Sequence, residues 1–183
     1  MKIEENMRQF TIGKLELRTL AARNILWLSA LVICTIIHVF LKAYCPCKDF
    51  QFLFFTTSIT GFQTITSPLG VRFRSIYFSI IWLMCCLLLI DTSFWISLFP
   101  LCTFVLHHIF RYIFYLKYKQ EFIPYFMGKG GVWSHYSKIE KRRGNKKDKT
   151  FSYIKLFLGI LIFFMLLFLF EFHAKDLPCG ICT

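Results

Sequence analysis

The placement of charge constrains this chain more than any other feature. Residues 24–41, 50–71, 75–90, 92–110 and 156–170 contain no Lys, Arg, Asp or Glu, and short charged segments separate them. If each charge-free run crosses a membrane, all but Lys42, Lys48 and Lys175 of the 22 Lys and Arg fall on one side. Basic residues are retained on the cytoplasmic side during insertion, so this asymmetry predicts the N-terminus inside and the C-terminus outside.

Composition agrees. The chain is 56% hydrophobic and 17% charged, and five long apolar runs leave a soluble domain little else to build around. Backbone groups in a bilayer find no water, so the runs are expected to be helices. About 20 residues cross a hydrocarbon core of about 30 Å. The first, second and fourth runs meet that length and the third is short. The fifth reaches it by recruiting 150–155, with Lys155 snorkelling to the inner surface. The expected fold is an all-α integral membrane bundle of about five transmembrane helices. An amphipathic surface segment covers 1–24, helices one to four lie within 25–116, and a basic cytoplasmic loop covers 117–150. The fifth helix follows at 151–172, with a cysteine-containing tail at 173–183. No cleavable signal peptide is evident. The second run is the most polar. Its Thr and Ser residues, Gly61, Gln63 and Pro68 fit a helix packed against others or a re-entrant segment covered by protein. Pro100 predicts a kink in the fourth helix.

Residues 111–149 hold 11 Lys or Arg against Glu121, Glu140 and Asp148. The patch lacks any recognisable nucleic-acid module, which argues against nucleic acid as a partner. Beside apolar spans it reads as a positive-inside determinant facing anionic lipid headgroups, with the bilayer itself and a partner membrane protein as the expected neighbours. Aromatic residues in 120–136 suit the headgroup layer, and 138–149 reads as a solvated loop. Gly128-Lys-Gly-Gly lacks the spacing and the following Lys-Ser/Thr of a phosphate loop, so it reads as a turn.

The topology places Cys45, Cys47, Cys179 and Cys182 together on the outer face. In an oxidising compartment such pairs are commonly disulfides, and four cysteines allow three connectivities. A structural staple between the first outer loop and the tail is one reading. A redox-active pair is another: Cys179-Gly-Ile-Cys182 has dithiol-catalyst spacing, with His173 and Lys175 nearby to favour a thiolate. In architecture and pair placement this arrangement resembles the membrane disulfide-generating and vitamin K epoxide reductase class. That resemblance implies electron transfer to a quinone; the span count and the Cys45-Pro-Cys47 spacing depart from the class. Four sulfurs with His38 and His173 would also suit zinc, but one-residue spacing is tighter than zinc ligands use, and no metal site is assigned. Cys34, Cys85, Cys86 and Cys102 lie within spans and read as small buried hydrophobes.

Ionisable groups within spans are functional candidates by default. His107, His108 and Arg111 stand at the inner end of the fourth run, with His107 and Arg111 on one helical face. They are the candidate proton, quinone or lipid-headgroup residues, with interfacial anchoring as the plainer reading of Arg111. His38, Asp91, Glu171 and His173 are candidates to converge on the outer side. The leading functional expectation is a non-catalytic accessory, assembly or immunity-type membrane component. The alternative is a membrane thiol–disulfide oxidoreductase using Cys179 and Cys182 with Cys45 and Cys47, and a quinone.

Overall fold

The computed structural model describes residues 22–44, 46–66, 73, 75–90, 94–128, 131–133, 136–137 and 142–174. Among the described residues there are six helices: α1 (Ala22–Tyr44), α2 (Pro46–Thr66), α3 (Ile76–Leu88), α4 (Phe94–Ser97), α5 (Phe99–Tyr118) and α6 (Lys146–Ala174). Two short antiparallel ribbons lie between α5 and α6. One pairs β1 (Phe126–Gly128) with β2 (Gly131–Trp133), and the other pairs β3 (Tyr136–Ser137) with β4 (Arg142–Arg143).

Among the described residues three helical stretches are long and apolar enough to cross a membrane: Asn24–Tyr44, Phe94–Tyr118 and Lys146–Phe172. The five expected spans therefore divide unequally. α3 has 13 residues, which at about 1.5 Å each falls well short of a core about 30 Å thick. α2 is long enough at 21 residues, but its threonines keep it out of the strongly apolar group. Thr56, Thr57, Thr60 and Thr64 are buried and Thr66 is half-buried, and three hydroxyls turn back onto their own helix: Thr57 onto the Leu53 carbonyl (2.8 Å), Thr64 onto Thr60 (3.1 Å) and Thr66 onto Phe62 (2.8 Å). The surface α2 shows its neighbours is thus more apolar than its composition.

Contacts sort the helix ends. His38 near the end of α1 meets Asp49 in the first turn of α2, so these helices form a tight antiparallel pair. Phe50 stacks on Phe170 with centroids 5.3 Å apart, and Ile65 lies against Gly159, so α2 and α6 are antiparallel as well. α5 runs beside α6 from Phe99 against Phe163 to Phe114 against Phe151. The starts of α1 and α6 and the ends of α2 and α5 consequently share one end of the bundle, called here the basic end. The Pro100 feature appears as a break at Leu98 between α4 and α5, where proline occupies the first turn of the new helix.

One apolar cluster joins Leu28, Leu31, Leu53, Phe73, Phe78, Trp82, Cys85, Cys86 and Leu89. A second is centred on Ile65, Phe99 and Leu166. Gly61 sits where a Cβ would run into the Phe99 ring, so the residue's small size is what lets α2 and α5 close. Large apolar side chains cover the outside: Leu26, Ile36 and Phe40 on α1, and Phe157, Phe164 and Phe168 on α6, are exposed. A belt of this kind marks a lipid- or partner-facing surface.

Candidate functional site

The chain leaves α5 through Lys119, whose φ of 51° is the left-handed conformation of a helix C-cap, and its N–H bonds the Tyr115 carbonyl at 2.8 Å. That reversal carries residues 121–125 back into the bundle, where all five are buried. Sequence reasoning put this aromatic stretch in the headgroup layer. The structure uses it as a plug between α5 and α6.

Polar groups hold the plug. Arg111 Nε donates to Glu121 Oε1 at 2.6 Å, with the side chains only 6% and 3% exposed. Arg111 is thus turned inward, away from the headgroup position that snorkelling would give it. Asp148 is fully buried and accepts from Arg142 Nη1 (2.6 Å), the Ile123 N–H (2.9 Å) and the Asn145 N–H (2.9 Å). Asn145 Oδ1 in turn accepts the Asp148 N–H at 3.0 Å. Asn145 and Asp148 form a reciprocal capping box at the start of α6, and the carboxylate sits where the helix dipole favours negative charge. Arg142 Nη2 also donates to the Glu121 carbonyl at 2.5 Å. The Tyr125 N–H reaches Ser152 Oγ (3.0 Å), and its hydroxyl donates to the Gly144 carbonyl (2.8 Å). Burial and the nearby Asp148 carboxylate raise the Tyr125 hydroxyl above its ordinary pKa, against a smaller opposing pull from Arg142, which keeps it a donor. Residues 142–149, expected as a solvated loop, are thereby fastened at Arg142 and Asp148.

His107 is buried between Phe73 and Phe122, with centroids at 5.7 and 6.3 Å. His108 packs edge-on to Phe104 at 4.5 Å, and its Nε2 is buried without a hydrogen-bond partner among the described residues. His107 and Arg111 share the packed face of α5 with Phe110 and Phe114. Beside them Lys155, only 1% exposed, donates from Nζ to the Thr64 carbonyl at 3.1 Å and lies 5.9 Å from the Phe122 ring. Thr64 is in the last turn of α2, so the amine caps a carbonyl that lacks a helical donor. Lys155 therefore points into the bundle rather than out to the surface.

At the opposite end, His38 Nδ1 and Asp49 Oδ1 are 2.7 Å apart and both side chains are buried. Of the expected outer partners of His38, Glu171 is exposed and Asp91 lies outside the described residues. His173 belongs to the last turn of α6. Cys45, Cys179 and Cys182 lie outside the described residues, and Cys47 is in the first turn of α2. Among the described residues Cys34, Cys85, Cys86 and Cys102 are free thiols, and no group of His, Cys, Asp and Glu there has the makings of a metal site.

No protein-family model, curated protein or solved structure matches this chain. The chemistry of the site thus rests on its own geometry. It is an array of buried charges closed on one another, suited to holding a loop and two helix ends in register.

Proposed function

We propose that this chain is a multi-pass membrane protein of the accessory, assembly or immunity type, with no catalytic chemistry of its own. α1, α2, α4–α5 and α6 cross the bilayer, and the segment that contains the shorter α3 carries the chain back from the basic end of α2 to the start of α4, as the fifth crossing. The basic end faces the cytoplasm. The shared end of α1, α2, α5 and α6 supports that orientation, because it gathers the basic 111–149 region beside the start of α1.

One observation carries the non-catalytic reading. Four ionisable side chains in the described bundle are bound by other parts of the chain: Arg111 by Glu121, half-buried Arg142 by Asp148, His38 by Asp49 and Lys155 by the Thr64 carbonyl. Charges committed in this way hold structure together and are not presented to a substrate.

The oxidoreductase alternative draws support from the Phe50–Phe170 stack. It places the start of α2, beside Cys45 and Cys47, at the same end as the end of α6, which leads toward Cys179 and Cys182. A coupled assay separates the readings. The purified chain is mixed with a dithiol and a soluble quinone, and quinone reduction is followed optically. No thiol-dependent reduction is expected, while photo-crosslinking from Ile36 on the exposed α1 face in native membranes should trap one membrane partner. Sustained quinone turnover abolished by Cys179→Ser overturns the accessory reading. Orientation is read separately by labelling: Ser137→Cys should resist an impermeant reagent applied from outside, and its labelling there reverses the topology.

A further inference from the structure

The structure divides the cations of the 111–149 region into two populations. Arg111 and Arg142 turn inward onto Glu121 and Asp148. Lys117, Lys119, Arg143, Lys146, Lys147 and Lys149 are exposed, while Glu121 and Asp148 are buried. The described surface here is therefore uniformly positive.

Four of the lysines are arranged over tyrosine rings. Lys147 Nζ lies 4.5 Å and Lys117 Nζ 5.5 Å from the Tyr118 centroid. Lys119 lies 5.9 Å from Tyr115, and Lys149 5.9 Å from Tyr153. An ammonium held over a tyrosine face is fixed at the depth of the ring, and Tyr with Lys at one depth marks a membrane–water boundary. The depth agrees with a bilayer. From Tyr153 to Phe172, α6 runs about 20 residues, or about 30 Å, the thickness of a hydrocarbon core. On the membrane side of the rings the exposed surface becomes apolar, with Ile113, Ile154 and Phe157.

We propose that Lys117, Lys119, Lys147 and Lys149, with Tyr115, Tyr118 and Tyr153, form a collar that binds the phosphodiester headgroups of anionic lipids in the adjoining leaflet. The inference rests on the reading of the bundle as membrane-spanning. Ammonium groups are compact point charges without the planar fork of arginine, so the collar selects lipids by negative charge rather than headgroup shape. An acidic soluble protein would match the charge but not the apolar band directly below it.

The test uses the full-length chain in nanodiscs made from equal amounts of phosphatidylglycerol and phosphatidylcholine, with co-purified lipid counted by mass spectrometry. A lysine beside an anionic surface gains about 1 kcal/mol, about fivefold in partition. Lys117→Gln with Lys147→Gln, which strips both ammonium groups from Tyr118, should reduce the preference for the anionic lipid at least tenfold. The same positions changed to Arg should retain it. The preference of the unaltered chain should also fall as salt rises from 0.05 to 0.5 M, since screening shortens to a few ångströms. A preference indifferent to both salt and the Gln substitutions overturns the collar, as does equal binding of polyglutamate by the lipid-free chain in detergent. Extraction of the unaltered chain from membranes by alkaline carbonate is a different failure, since it overturns the membrane reading itself.

Discussion

Asp148 should matter more to this protein than the arginine it pairs with, and the structure supplies the arithmetic. Its carboxylate holds Arg142, the Ile123 N–H and the Asn145 N–H, and it is fully buried. Asp148→Asn keeps the shape but removes the charge and turns an amide toward groups that donate. Leaving the partner of a buried pair uncompensated costs about 3–5 kcal/mol; Arg142 is 21% exposed, so the low end, about 3, applies. Loss of half the capping box adds about 1, for a total of about 4 kcal/mol from the 5–15 typical of a folded domain. Arg142→Gln leaves Asp148 with two backbone donors and the helix N-terminus, and should cost about 2. The fully buried Cys86 provides the assay. Its alkylation, mapped by mass spectrometry across an SDS titration in mild detergent, reports unfolding, and the midpoint should fall about twice as far for Asp148→Asn. Equal losses, or a larger one for Arg142→Gln, would refute the reasoning.

Three further outcomes follow from the packing and are read by the same titration. Gly61→Ala should destabilise by about 1–3 kcal/mol because the new Cβ meets the rigid Phe99 ring, and Gly159→Ala should cost a similar amount because its Cβ meets both Cδ1 and Cγ1 of the buried, β-branched Ile65; no loss at either position would show that the interface there gives. Lys155→Met should cost no more than about 1 kcal/mol, since it orphans the Thr64 carbonyl but also removes the desolvation cost of the amine, while Lys155→Ala leaves a cavity and should cost about 3. His108→Leu should be neutral or slightly stabilising, because Nε2 is buried without a hydrogen bond among the described residues; a loss above about 1 kcal/mol would point to a partner at that nitrogen.

The apolar runs were legible because a helix in lipid needs little more than length and the absence of charge. Their ends were less so. The sequence places Asp49 in an eight-residue loop, yet α2 begins at Pro46, which fits a first helical turn because its missing N–H is not needed there. Asp49 is thereby carried onto a helix facing His38. The box at Asn145 and Asp148 has a recognisable three-residue spacing, but it lay inside a run of lysines and arginines whose solvated character seemed sufficient explanation. Arg111 and Glu121 could not be paired from sequence, because their meeting depends on a lysine adopting the left-handed cap conformation at position 119. The contact of Lys155 with Thr64 spans 91 positions, and no local pattern announces it. The threonines of α2 fit the packed helix read from them, and what a hydropathy scale leaves out is that several of their hydroxyls are absorbed by their own backbone.

That absorbed polarity bears on how the chain is made. A segment as mixed as α2 gains little by entering lipid alone, yet a single residue separates it from α1, which is strongly apolar. On the membrane reading the two must leave the translocation channel as one hairpin. The His38–Asp49 contact closes its tip, and α2 stays sheltered by α1 until α4 and α5, and then α6, arrive to cover its other sides. Biogenesis then has a fixed order, and a ribosome stalled before α4 and α5 emerge would leave behind a half-built bundle with its threonine helix uncovered on the side they close.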